Sequence, residues 1–236
     1  MLADKLRAAT PVSAAPSNTP VLTFEAGATT TADLTTATFD GVSIGTADPD
    51  RYIVVAAGSR ISTATTASDF VITIAGVTAS SLVQVVNVSA PRNAVGIFMT
   101  NAPVSTGSTT SITVRRQGTT QSNTAIAVYS IVRDVSAPIV LSTRSGFSFP
   151  TGISTTARLG STGGVTVSTV AITAAFGGAA GTVIGPNISG PVTSNYYTGI
   201  TELTGFRSVT ITANTSYEWT LSGTGANMGV VHAIWR

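Results

Sequence analysis

The amino-acid sequence predicts an all-β protein: an antiparallel, jelly-roll-like β-sandwich behind a short N-terminal helical or extended arm. Three observations carry that expectation. Short apolar runs alternate with period two between clusters of Gly, Pro, Asn and Ser, the pattern of strands joined by turns. Thr and Val, which suit a pleated and half-buried surface, are abundant throughout. Beyond residue 10 no stretch repeats its apolar residues with a helical period, which favours a double-sheet fold over a parallel α/β sheet.

Residues 2–9 suffice for about two helical turns, with Leu2 and Leu6 on one face at i, i+4 spacing and Arg7 beside them. So short a helix is not stable alone in water and needs a surface to order it. Residues 10–20 (TPVSAAPSNTP) hold three prolines among small polar residues and read as an extended linker. The segment 1–20 is therefore either a docking arm, with Leu2, Leu6 and Arg7 as its contact residues, or a frayed terminus. Strands are expected at 21–24, 31–39, 51–57, 70–75, 82–88, 95–100, 111–116 and 124–132. In the second half they are expected at 139–142, 155–159, 164–173, 196–203, 208–212, 217–221 and 228–235.

Within 164–173, Val165, Val167, Thr169 and Ala171 share a face, and Val209 and Ile211 do so in 208–212, as in sheets with one buried and one wet side. The last strand is apolar on both faces. Met228, Val230, His232 and Ile234 fall on one side and Val231, Ala233 and Trp235 on the other, which suits a central strand or one side of a subunit contact. Ser136-Ala137-Pro138 is the strongest internal punctuation. With no clear repeat between the halves, it reads as a connection inside one sandwich spanning 21–236.

Composition excludes several classes. The chain has 236 residues, 43% of them hydrophobic, and a mean hydropathy of +0.37, so it has apolar surface enough for a folded core. Only 9% are charged, which invites a membrane reading. However, runs such as Tyr52-Ile53-Val54-Val55-Ala56-Ala57 stop far short of the ~20 residues a spanning helix needs, and no membrane partner is expected. The formal net charge is +2, Lys5 is the single lysine and Arg115-Arg116 the single adjacent basic pair. Without a basic stripe, no nucleic-acid partner is expected either. The absence of cysteine removes disulfides, thiol nucleophiles and Cys-based metal sites. Asp4, Lys5 and Arg7 stand where a signal peptide has its apolar core, which predicts synthesis in a bacterial cytoplasm without export by the general route.

Candidate chemistry is sparse, and no cofactor is expected. His232, the one histidine, lies between Val230 and Ile234 in an apolar strand and reads as a buried structural residue. Asp48-Pro49-Asp50, with Asp40 nearby, has the carboxylates of a Ca²⁺ loop but neither its glycine pattern nor a following bidentate Glu, so a turn is the expectation. Glu202 and Glu218, each beside aromatic residues, are the pair a glycosidase would need across a cleft. There is no Gly-x-Ser-x-Gly, and the glycine-rich run 177–181 lacks the Lys-Ser/Thr of a phosphate loop. Tyr196, Tyr197, Phe206, Tyr217 and Trp219 gather in the last third, either as core or as a stacking platform for sugars. No enzyme is expected.

Several motifs resemble a known group. Phe39-Asp-Gly-Val-Ser-Ile-Gly-Thr-Ala-Asp-Pro-Asp-Arg51 followed by Tyr52-Ile-Val-Val-Ala-Ala57, then Val71-Ile-Thr-Ile-Ala-Gly-Val-Thr78, resemble the opening of small Ser/Thr/Gly-rich structural proteins of tailed phages and prophages of alphaproteobacteria. Tyr197-Thr-Gly-Ile-Thr-Glu-Leu203 and the closing Val231-His-Ala-Ile-Trp-Arg236 resemble later elements of that group, and the pattern departs between 136 and 164. The resemblance implies a virion component with a jelly-roll-like fold. The expectation is a non-enzymatic structural or decoration protein, made in the host cytoplasm and attached through its N-terminal arm to capsid, portal or tail proteins. Virion parts repeat by symmetry, so a homo-oligomer such as a trimer is expected. The alternative is a tail-fibre adsorption module that stacks a host-surface glycan on Tyr197 and Trp219.

Overall fold

The computed structural model describes residues 20–61, 69–86, 92–117 and 119–132. Beyond these it describes strands between 140 and 235, with side chains there at Val231, Ala233 and Trp235. The arm expected at 1–20 lies outside the described residues except for Pro20. Every regular element described is a strand.

In the first half the strands are β1 (Val21–Thr30), β2 (Thr36–Ser43), β3 (Tyr52–Ile61), β4 (Phe70–Ile74), β5 (Val77–Thr78), β6 (Ser80–Val86), β7 (Arg92–Met99), β8 (Thr109–Arg116) and β9 (Gln121–Val132). They form an inner sheet in the order β1-β9-β3-β7-β6 and an outer sheet in the order β2-β8-β4-β5, with antiparallel pairing throughout. The chain passes back and forth between the two facing sheets, the wrapping of a jelly roll, with β6 as an added edge strand.

Patterning explains why the sheets face each other. In the outer sheet Ala37, Phe39, Phe70, Ile72, Ile74, Ile112 and Val114 are buried, while the alternating Thr38 and Arg115 are exposed. The inner sheet is apolar on both sides. Ile53, Val55, Ala57, Ile126 and Val128 pack towards the outer sheet. Val54, Ala56, Ala125, Ala127, Tyr129 and Ile131 form a second core on the opposite face. Each fully buried Val or Ile contributes roughly 1.5–3 kcal/mol, so both cores matter to stability.

The second half contains β10 (Val140–Ser148), β11 (Ile153–Thr155), β12 (Thr169–Gly177), β13 (Thr182–Pro186), β14 (Val192–Thr198), β15 (Thr204–Ile211), β16 (Tyr217–Ser222) and β17 (Met228–Trp235). Their sheets run β10-β17-β12-β15-β14 and β11-β16-β13. This repeats the first half strand for strand. β10, β17, β12, β15 and β14 take the places of β1, β9, β3, β7 and β6, and β11, β16 and β13 those of β2, β8 and β4. Among the described strands only β5 has no counterpart. No strand pairing among the described residues joins the halves.

Contacts run from first outer sheet to first inner, second inner and second outer sheet in turn. The described strands fall into two sets of like sheet order, one before 133–139 and one after, and the sets meet through their inner sheets. The last strand, expected to be covered on both faces, is central between β10 and β12 and buries Val231, Ala233 and Trp235 against the first inner sheet.

Smaller differences have local causes. The strand expected at 31–39 begins at Thr36, because Leu34 leaves the sheet to exchange two 2.8 Å backbone hydrogen bonds with Gln121. β13, which ends in Gly185-Pro186, was hidden by turn-type residues.

Candidate functional site

The polar chemistry of the described residues concentrates at the two ends of the first sandwich, and each end holds a buried arginine. Arg51 immediately precedes β3. Its side chain runs between the connection 44–51 and the connection 100–108 and spends every guanidinium N–H on a main-chain oxygen. Nε donates to Val104 O at 3.0 Å; Nη1 donates to Gly45 O at 2.7 Å and Thr46 O at 2.6 Å. Nη2 donates to Thr106 O at 3.0 Å and Gly107 O at 2.9 Å. The five donors of this rigid fork can be satisfied only by loops shaped around it.

Further bonds fix the same end. Val104 N donates to Arg51 O at 2.7 Å, Arg51 N to Asp48 O at 3.2 Å, and Ile53 N to Thr100 Oγ1 at 3.2 Å. Asn101 joins the loop to the sheet, donating from Nδ2 to Thr78 O and accepting from Ser80 Oγ. Gly45 has φ +80° and lies so close to the Glu25 carboxylate that a Cβ there would collide with it. That carboxylate accepts a 2.5 Å hydrogen bond from Ser130 Oγ. The result is a rigid loop surface carrying exposed Thr46, Asp50, Asn101, Ser105, Thr106 and Ser108. Such a surface can present hydroxyls and carbonyls to a partner, but it contains no nucleophile–base pair.

At the opposite end Arg116 lies 5.5 Å from the Phe70 ring centroid, a cation–π arrangement, and its Nη1 is 3.5 Å from Ser59 O. Burial pushes its pKa down to about 10, with the charge of Asp69 acting against that shift. Gln121 Nε2 donates to Val114 O. Ser59 Oγ, Gln121 Oε1 and Thr124 Oγ1 are buried here without a hydrogen-bond partner among the described atoms. At this end Arg116, Ser59, Gln121 and Thr124 are buried, next to exposed Asp69, Arg115 and Gln117.

The residues singled out in the sequence fall in several places. Leu2, Leu6, Arg7 and Glu202 lie outside the described residues. Tyr197 is on β14 opposite Gly205, and Trp219 is on β16 between Ile153 and Pro186, so the two stacking candidates belong to different sheets. Glu218 is also on β16, opposite Ser154. His232 sits in the central strand β17, in register with Arg144 and Thr173.

Asp48 and Asp50 make the expected turn. Asp50 N donates to Asp48 Oδ1 at 2.8 Å, so the carboxylate is engaged by its own backbone. Among the described residues no group of three acids or histidines stands close enough to hold a metal ion. Sequence reasoning missed both buried arginines. Arg116 was detectable in principle: adjacent residues of a strand face opposite sides, so of Arg115-Arg116 one had to point inward. Compared with known proteins, the chain matches no protein-family model, no curated protein and no solved structure.

Proposed function

We propose that this chain is a non-enzymatic structural or decoration protein of a tailed-phage virion, docked by its N-terminal arm and exposing a rigid β-sandwich. The observation that carries the reading is the architecture: a jelly roll, a fold used for viral shells, whose strand order is repeated in the second half. The use of polar groups supports it too. Arg51, Thr100 and Gln121 are committed to main-chain atoms, which builds a stiff surface and leaves no reactive constellation at either described end. Leu2, Leu6 and Arg7 supply the docking face in this reading, and neighbouring capsid, portal or tail proteins supply the surface that orders it.

The adsorption reading stands second. With Tyr197 on an edge strand of one sheet and Trp219 in another, it calls for two separate sugar subsites in place of one stacking platform. The deciding experiment adds purified full chain, or a variant lacking residues 1–20, to phage particles deprived of the protein. The full chain should rebind and the truncated chain should not, while both give the same β-sheet circular dichroism. Rebinding by the truncated chain would remove the arm from the account, and failure of both would remove the virion role.

A further inference from the structure

The inner sheet of the first half has a face that no described element of that half covers. Leu22, Val54, Ala56, Ala127 and Ile131 point away from the first outer sheet and are buried all the same, in one core with Val231, Ala233 and Trp235 of the second half. The two inner sheets meet strand to strand: β14 lies against β1, β12 against β3 and β7, β17 against β7 and β6, and β10 against β6.

Counterparts make that order informative. β14 corresponds to β6 and β10 to β1, so the contacts at the two borders are one contact made twice with the roles exchanged. At the centre β3 meets its own counterpart, β12. The border and central contacts are those of an isologous dimer about a twofold axis along the strands, whereas β17 against β6 and β7 and β12 against β7 have no equally close exchanged counterparts. Among the described residues no strand pairing joins the halves, and the contact between them is the buried face.

We infer that the chain is a fused dimer of two jelly rolls, in which the apolar face of the first inner sheet is a docking surface occupied by the second half of the same chain. Its cohesion comes from the buried face and does not depend on the covalent connection at 133–139. This is independent of any role in a virion.

A protease site placed between Val132 and Val140 of the full chain, cut after folding, tests it. The two fragments should elute together at the mass of the uncut chain and, with Trp219→Phe, keep the blue-shifted emission of a buried Trp235. Folded fragments that elute apart would overturn the inference. Elution at twice the mass would assign the cover to a second copy and overturn the pairing within one chain. Ala56→Arg, which sets a cation on the central strand of the face, should weaken association of the cut fragments on the order of 100-fold or more. Unchanged association in that variant would show that the halves are held elsewhere. If Ala56→Arg does not fold, dilution of the cut parent chain decides the question alone.

Discussion

Arg51 and Arg116 occupy opposite ends of the first sandwich and are equally removed from solvent, yet their surroundings differ. Arg51 has an oxygen for each N–H, drawn from two loops that are also joined by backbone bonds from Val104 N to Arg51 O and from Ile44 N to Ser108 O. Arg116 lies over the Phe70 ring, near Ser59 O, among side-chain oxygens with no described partner of their own. A buried cation is tolerated when preorganised dipoles replace its water, and at Arg116 the cost of burial shows as a lowered pKa. The first arginine therefore organises its end of the molecule, whereas the second is accommodated by its end.

The largest expected effect follows from removing the first. Arg51→Ala leaves five carbonyl oxygens without their donors and two connections held to each other by backbone bonds alone. It should cost about 3–5 kcal/mol, the scale for breaking a buried charged network. Arg51→Lys should recover little, because a point charge on a flexible stem cannot reach five acceptors in a plane. Urea unfolding of the variants measures both losses. A cost below about 1 kcal/mol for Arg51→Ala would mean that the loops hold their shape unaided.

Arg116→Met should come next and be mild, within about 1 kcal/mol, since the lost cation–π contact is offset by relief of the buried charge. Its pH dependence is the sharper measurement. The folded-state pKa of about 10 is below that of the unfolded chain, so above pH 10 the unfolded chain retains a proton that the folded chain has released. Stability from this group is therefore smallest below pH 10 and rises as pH climbs towards the ordinary arginine value. Between pH 9 and 11 the parent chain should gain about 1 kcal/mol relative to Arg116→Met. A difference that stays flat or falls would show that the guanidinium is as well solvated as in the unfolded chain.

Much of the fold was legible in the sequence because alternation is a direct consequence of strand geometry. Apolar residues at every second position marked β4, β8 and β17 nearly to their ends, whereas β15 begins at Thr204, four residues before the strand expected at 208–212. The duplication was not legible. Its signature is strand order and pairing, and small β-favouring residues can exchange at matching positions without leaving a repeat. The site was legible only where chemistry is local: Asp48-Pro49-Asp50 declared its turn, since an Asx turn needs nothing beyond its neighbours. Arg51 reaches carbonyls up to 56 residues away, and no spacing in the sequence encodes that.

The smallest expected effect compares the same two ends through their backbones. Each has a non-glycine residue at positive φ: Ala75 at +52° beside the loop end, and Asn123 at +47° where β9 bulges against β3. Ala75 and Gly76 (φ +80°) form the two-residue hairpin between Ile74 and Val77, a type I′ geometry in which both central residues are left-handed. Asn tolerates that conformation, whereas Ala is strained in it by about 1 kcal/mol. Ala75 is exposed, so a new side chain there meets only solvent. Ala75→Asn should therefore stabilise the chain by roughly 0.5–1 kcal/mol and raise Tm by about 2 °C. Asn123→Ala should lose at least as much at the other end. If Ala75→Asn left Tm unchanged while Asn123→Ala lowered it, the hairpin would have to relax freely. The strain at the two ends would then not be equivalent.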